Sequence, residues 1–429
     1  MTIPNRSPHA VVLSGGGAYA AYEVGVMQAL FAGLSPATNR VPVDPQILSG
    51  TSSGGYNAAF LAAQGGSNAA QDAFNLAETW RTQLAGDAAG CSNGVARYRL
   101  DPFTLFNPVC FFQDPAEMIR DAGDDFAFLT MNFAERLRIF ANSSGTIQER
   151  LVRMIDLSSL LVENLGDLIP RTIALQNICS SPRVLRIAVT NWSSGSVMIF
   201  SNNDFASPDA SMYLQASTAI PGVFPPVEIA GKFYVDGGVL MNTPLRPALD
   251  AGAATLHVIY MDPNLSNVPI QRLTNTFDTM DRIWAVQNAE TLNTDIENAA
   301  RINRGVELLN ITAESSGSTD DLKKAIRFLG QTARAAEKRS SEDAGTAAAL
   351  LERYRQVTIH RYHPKDDLGG LLGLLRFDRP TIEALIQRGY QDAIAHDCQT
   401  EGCVLPSGEV AWMPVEGRVG MNPAPMARS

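Results

Sequence analysis

The chain is short of cysteine, of positive charge and of long apolar runs, and each shortage removes a class of explanation. Five cysteines in 429 residues, an odd number spread over Cys91, Cys110, Cys179, Cys398 and Cys403, do not make a disulfide framework. Free thiols are the expectation, with a Cys398–Cys403 pairing open in an oxidising compartment. A formal net charge of −10 argues against nucleic acid as a partner, because its phosphates would be repelled. It argues equally against docking to anionic lipid through a basic patch, and leaves peripheral membrane contact through apolar surface open. No run approaches a membrane span; LGGLLGLLRF (368–377) is the greasiest stretch and is about half the length needed. Only Ala10 to Leu13 are apolar in succession before the first glycines, too few for a signal-peptide core. The expected location is therefore cytoplasmic or at a membrane surface.

What is present is an alternation. Residues 10–13 read as a short strand, 18–33 as a helix closing on Gly33, 45–50 as a second strand and 56–66 as a second helix. Strands alternating with helices predict an α/β fold around a parallel sheet. From about 70 to 180 the sequence turns helical and irregular, with DPFTLFNPVCFF (101–112) as an aromatic loop. Strands at 184–192 and 196–201 follow, joined at Ser194-Gly195 in hairpin fashion. A short helix near 209–218 leads to strand KFYV, then to DGGVLMNTPLRPAL, where Asn242 or Thr243 is expected to cap a helix with Pro244 in its first turn. A strand at 254–262 comes next, and 265–356 reads as two or three long polar helices. VTIHRYHP is a late strand. Residues 378–397 form an amphipathic helix with Ile382, Leu385, Ile386, Tyr390, Ala393 and Ile394 on one stripe. The expected organisation is a core over 9–262, with a helical and aromatic insertion at about 70–180. An extension over 263–397 packs its closing strand and helix on that core, and a Pro/Gly-rich tail occupies 398–429.

Residues 11–20, VVLSGGGAYA, run from an apolar strand into three glycines. The spacing Gly15-x-Gly17-x-x-Ala20 fits the loose dinucleotide fingerprint. Such a site wants an acidic residue at the end of the second strand to hold the ribose, and Ser49-Gly50 occupies that place. The glycines make better sense as a nest of backbone N–H donors for an oxyanion that appears during a reaction. LSGTSSGG (48–55) supplies the matching nucleophile: Gly50-x-Ser52-x-Gly54 between a strand and a helix is the nucleophile-elbow pattern.

A serine needs a base. Of His9, His257, His360, His363 and His396, only His363 and His396 lie where an elbow serine could be served, and packing is the better expectation for all five. Asp236 is the stronger candidate. It ends the strand KFYV, and Gly237 and Gly238 leave its carboxylate room to approach another loop. To accept a serine proton at neutral pH it must be partly desolvated, since its reference pKa is about 4. His360 and His363 fall on opposite faces of a strand, so no metal site is expected, and no cofactor either.

LSGGGAYAAYEVGVMQAL, SGTSSGG, ASTAIPGVFPPVEI and YVDGGVLMNTP, in that order, resemble the four landmark segments of the patatin-like phospholipase family. The likeness covers roughly residues 9–262 and, more weakly, the helix around Gly389-Tyr390. It implies a three-layer α/β/α fold with a mostly parallel central sheet and extra helices. It also implies a Ser–Asp dyad without histidine: Ser52 as nucleophile, Asp236 as base, Gly15, Gly16 and Gly17 near the oxyanion hole, Gly50 and Gly54 shaping the elbow. The implied activity is hydrolysis of lipid or fatty-acyl carboxylic esters through an acyl-serine intermediate. A thioesterase or acyltransferase with the same dyad, and a catalytically silent lipid-binding scaffold, remain as alternatives. One departure stands out. Where the family places an apolar residue, then Arg or Lys, then Gly, this chain has Ala18, Tyr19 and Ala20, so the cationic helper is absent. The aromatics Phe103, Phe106, Phe111, Phe112, Phe126, Phe128 and Phe133 are expected in the core, an acyl channel or lid being their other use.

Overall fold

The strands β1 (His9–Leu13) and β2 (Ile47–Thr51) are buried almost from end to end and pair in parallel, Ala10 opposite Ile47. Only strands covered on both faces by helices look like this. A computed structural model describes residues 8–66, 68–86, 91, 94–101, 105–154, 161–261, 276–314, 355–366 and 368–406. Within it β3 (Ala96–Tyr98) and β4 (Leu161–Glu163) form a small antiparallel pair. The main sheet adds β5 (Val184–Asn191), β6 (Ser196–Ser201), β7 (Val227–Ile229), β8 (Lys232–Asp236), β9 (Thr255–Ile259) and β10 (Thr358–Tyr362). Its order is β10-β9-β1-β2-β5-β8-β7, with β6 beside β5. The five strands from β10 to β5 are parallel, and β6, β7 and β8 are antiparallel additions.

Side chains alternate across β1 as a strand requires. Val11 and Leu13 join a core under α1 (Ala20–Phe31), α2 (Ser52–Ala63) and α3 (Ala69–Thr79). Ala10 and Val12 join a second core, beneath Leu292, Ile296 and Ala299 of a later helix. Two cores on opposite faces make the expected three-layer α/β/α arrangement. The aromatic region carries a 28-residue helix, α4 (Pro115–Asn142), and the hairpin leads to α5 (Ala210–Ser217). The second core is covered by α6 (Thr276–Glu314), and the amphipathic segment forms α7 (Arg379–Ile394). The predicted stripe of α7 is real: Ile382, Leu385, Ile386 and Ala393 are buried, with Tyr390 and Ile394 packed beside them. Its Gly389 and the Gly25 of α1 let the two helices cross backbone to backbone. A Cβ on Gly25 would lie 2.7 Å from the Tyr390 nitrogen.

Several expectations need correction. Cys91 and Cys110, 19 positions apart, are joined in a disulfide, so the cysteines are not all free thiols; nothing in their spacing marks them as partners. Asn242 and Thr243 do not cap the helix after them: it spans Leu245–Asp250, with Pro244 preceding it and no side-chain cap. The described part of 265–356 holds a single 39-residue helix, α6, while 262–275 and 315–354 lie outside the described residues, as do Phe103 and 407–429. The remaining aromatics of the insertion are not core residues. Phe106, Phe111, Phe112, Phe126, Phe128 and Phe133 are all exposed, Phe106 by 86% and Phe112 by 79%. Polar chemistry pins α4 instead: the buried Asp125 accepts from Arg97 at 2.6 Å and from Arg99 at 2.9 Å.

Candidate active site

Because β1 and β2 are neighbours, the glycine-rich turns that follow them emerge side by side at the carboxyl edge of the sheet. Open α/β sheets place their ligands there. Gly15 donates its N–H to the Asn242 carbonyl (3.1 Å) and Gly16 to Ser53 Oγ (3.2 Å). Ala18 donates to the Leu374 carbonyl at 2.7 Å. Gly17 opens a one-turn helix, where N–H groups have no intrahelical acceptor. Its φ of +53° is a left-handed value, and a side chain there would be driven into the Leu374 carbonyl. Gly15 lies directly under the serine: a Cβ on it would sit 2.9 Å from Ser52 Cβ.

Ser52 has φ +56°, a conformation a serine keeps only when its surroundings impose it. The constraint is visible. Ser52 donates its N–H to Ser217 Oγ (2.9 Å), and that hydroxyl donates in turn to the Ala188 carbonyl (2.8 Å). The small flanks are required too: a Cβ on Gly50 would lie 2.6 Å from the Gly54 carbonyl carbon, and one on Gly54 2.7 Å from the Leu13 carbonyl oxygen. The helix α2 begins at Ser52, so the positive end of its dipole faces the site.

Register brings Asp236 to the same place. On β5, Ala188 is partnered by Thr51 of β2, and the next residue, Val189, is partnered by Asp236 of β8. The opposite edge of β5 is taken by β6 from Arg186 to Asn191. The strand β8 therefore takes over the edge at the point where β2 leaves it, and Ser52 is the first residue past that point. Gly238 donates its N–H to Asp236 Oδ1 at 2.7 Å. Burial pushes the Asp236 carboxyl up to about 7, outweighing the opposing pull of the Ser52 hydroxyl and the Gly238 N–H. A carboxylate of that proton affinity is matched to proton transfer at neutral pH.

Residues 241–244 stitch the two turns together. The Met241 carbonyl accepts from Thr51 Oγ1 and the Pro244 carbonyl from Ser49 Oγ, both at 2.8 Å. Asn242 Nδ2 donates to the Gly15 carbonyl at 3.3 Å. Ser52 and Gly17 open into an apolar cleft, open to solvent and walled mainly by Tyr56, Trp80, Leu84, Phe224, Leu374 and Phe377. The greasy stretch 368–377 thus forms one wall, and the exposed insertion aromatics line none of it. Tyr19, at the place of the family's cation, is buried and donates its hydroxyl to the Gly370 carbonyl at 2.7 Å. It fastens that wall to the glycine turn.

No histidine lines the cavity. His257 is fully buried and held well below its usual pKa, and His363 pairs with Glu401 at 2.9 Å. His360 is parted from His363 as expected, yet it meets His396, Cys398 and Cys403, a grouping that sequence reading missed. Ser217, Asn242 and Ser53 were missed as well. Ser53 sits inside the quoted elbow, but nothing local marks the other two as its supports.

A family model described as patatin-like phospholipase matches residues 11–249. Among solved structures, the crystal structure of VipD from Legionella pneumophila is similar at 16% identity and a TM-score of 0.33, over 91% of this chain and 66% of that one. No match was found among curated protein sequences.

Proposed function

The chain belongs to the patatin-like phospholipase family, and from that membership we propose that it hydrolyses fatty-acyl carboxylic esters through Ser52 and Asp236. The observation carrying the reading is a juxtaposition: a serine held at φ +56° at the end of β2, and beside it, where β8 takes over the same edge of β5, a buried carboxyl whose proton affinity lies near neutrality. In the reaction, ionised Asp236 takes the Ser52 hydroxyl proton as Oγ attacks the ester carbonyl carbon. The oxyanion that forms is met by the N–H groups of Gly16 and Gly17, Gly16 exchanging its bond to Ser53 Oγ for one to the charge. Gly15 has given its N–H to Asn242 and serves by letting Ser52 lie close. Protonated Asp236 then hands its proton to the leaving alcohol, and the acyl group stays on Ser52. Asp236 next deprotonates a water that attacks the acyl-serine, and the collapse returns the proton to Ser52 and releases the fatty acid.

The apolar cavity suits an acyl chain, with the ester carbonyl at Ser52 and the headgroup toward solvent. The exposed side chains of Phe106, Phe112, Phe126, Met131 and Phe133 support contact with a lipid surface. With a net charge of −10, apolar insertion rather than charge attraction would bring the site to its substrate.

The test has three arms. A fluorophosphonate probe should label Ser52, and labelling at another serine would reject the assignment. Ser52→Ala should keep its circular dichroism and lose hydrolysis of a short p-nitrophenyl ester; retention of more than a few per cent of the rate would reject the nucleophile. Mixed phospholipids should yield free fatty acids by mass spectrometry, whereas acyl groups appearing only on added alcohol or thiol acceptors would make the protein a transferase.

A further inference from the structure

The late histidines and cysteines, which the catalytic site does not use, converge on one spot at the edge of the sheet. His360 lies on β10, the edge strand. His396 follows the end of α7, and Cys398 and Cys403 lie in the turn that comes next. One ligand atom from each of the four lies within 4.8 Å of the others. Cys398 Sγ is 3.4 Å from His360 Nδ1 and 3.5 Å from His396 Nε2, and Cys403 Sγ is 3.4 Å from His396 Nε2.

The three sulfur–nitrogen separations are those of a tetrahedron's edges. With metal–sulfur bonds of about 2.3 Å and metal–nitrogen bonds of about 2.0–2.1 Å, a tetrahedral site holds its sulfur and nitrogen ligands about 3.5–3.6 Å apart. Two thiolates and two imidazoles also form a donor set that selects zinc over hard, oxygen-seeking cations. We propose that His360, His396, Cys398 and Cys403 form a structural zinc site.

The surroundings fit a closed site. His360, His396 and Cys403 are buried, at 7%, 5% and 5% exposure. The Tyr362 ring packs 4.4 Å from His396, and the His257 ring stacks 5.3 Å from His360. Four protein ligands complete the tetrahedron and leave no position for substrate, so the role is structural rather than catalytic. The backbone is shaped for it: Cys403 donates its N–H to the Cys398 carbonyl at 3.0 Å, closing the turn. Val404 then bridges to Ile359, next to His360. Zinc at this point ties the edge strand, the end of α7 and the final described turn into one knot. Since α7 crosses α1 at Gly25 and Gly389, the knot braces the helix that starts behind the glycine turn. His360 stands 36 positions before His396, so the spacing of the sequence does not display the four side chains as one group.

The full-length protein, purified under reducing conditions without chelator, should carry one zinc per chain by inductively coupled plasma mass spectrometry. The Cys398→Ser/Cys403→Ser variant should carry less than a tenth of that. Replacing zinc with cobalt should give wild type the thiolate charge-transfer and intense d–d bands of a tetrahedral cobalt centre, a readout that does not depend on the variant folding. Stripping the metal should lower the melting temperature, and zinc should restore it. The proposal is overturned if reduced, folded wild type binds no zinc when titrated, leaving four groups joined only by S–H···N hydrogen bonds. It is also overturned if peptide mapping of unreduced protein finds Cys398 and Cys403 joined in a disulfide.

Discussion

Replacing Asp236 by asparagine keeps the side chain's shape and removes its charge, so it divides catalysis from packing. Burial raises this carboxyl from 3.8 to about 7. At about 1.4 kcal/mol per unit, ionised Asp236 is disfavoured in the fold by about 4 kcal/mol. The sign follows from proton counting. Between 3.8 and about 7 the native chain keeps a proton that the unfolded chain has released, so wild-type stability falls as pH rises through that window. Above it the loss is complete and the curve is flat. Asparagine has no proton to release, and its Oδ1 can still accept from Gly238 N–H as Asp236 does. Asp236→Asn should therefore match wild type below about pH 4 and exceed it at about pH 8, by up to about 4 kcal/mol by the same conversion. Activity should move the other way. Removal of a general base lowers the rate by about 10²–10⁴-fold, and the loss should approach that of Ser52→Ala because the two residues act as a unit. Chemical denaturation at the two pH values, with kcat/KM for a short p-nitrophenyl ester across the same range, reads both effects. Wild-type kcat/KM should decline as pH falls through about 7, where Asp236 protonates. A variant with a wild-type stability profile and more than a tenth of the activity would refute the reasoning on both counts.

Gly17→Ala should lower kcat on the order of 10²-fold, because the turn must shift to clear the Leu374 carbonyl and its N–H loses aim. A change confined to KM would make the turn a binding loop. Ser217→Ala should cost about 1–3 kcal/mol in denaturant unfolding, since it strands the Ser52 N–H and the Ala188 carbonyl; its kcat should fall too as the elbow loosens. Phe112→Asp with Phe126→Asp should weaken sedimentation with phosphatidylcholine vesicles and slow hydrolysis there, while soluble-ester hydrolysis stays at the wild-type rate. Equal losses on both substrates would remove the membrane-contact reading.

The elbow was legible because its requirements are local. A serine at φ +56° with backbone packed on either side needs glycine at 50 and 54, and those glycines are visible in eight residues of sequence. The stripe of α7 was legible for the same kind of reason, a 3.6-residue period written within one segment. The disulfide, the exposed aromatics and the His/Cys cluster were not. Phe112 and Phe126 carry no mark that tells a core phenylalanine from a surface one; that depends on whether another layer covers α4. Tyr19 likewise reads as a missing cation, and only the approach of Gly370 turns it into a clasp.

The sequence by itself determined the alternation of strands and helices, the glycine turn, the glycine-flanked turn at Ser52 and the family, because each is written in short-range spacing or in an ordered set of motifs. Tertiary structure alone decided that Asp236 should stand beside Ser52. That placement depends on β8 continuing along β5 from the residue where β2 stops, a register between strands about 180 positions apart. It also decided the proton affinity of Asp236, since desolvation is a property of what surrounds a carboxyl rather than of the residues next to it in the chain.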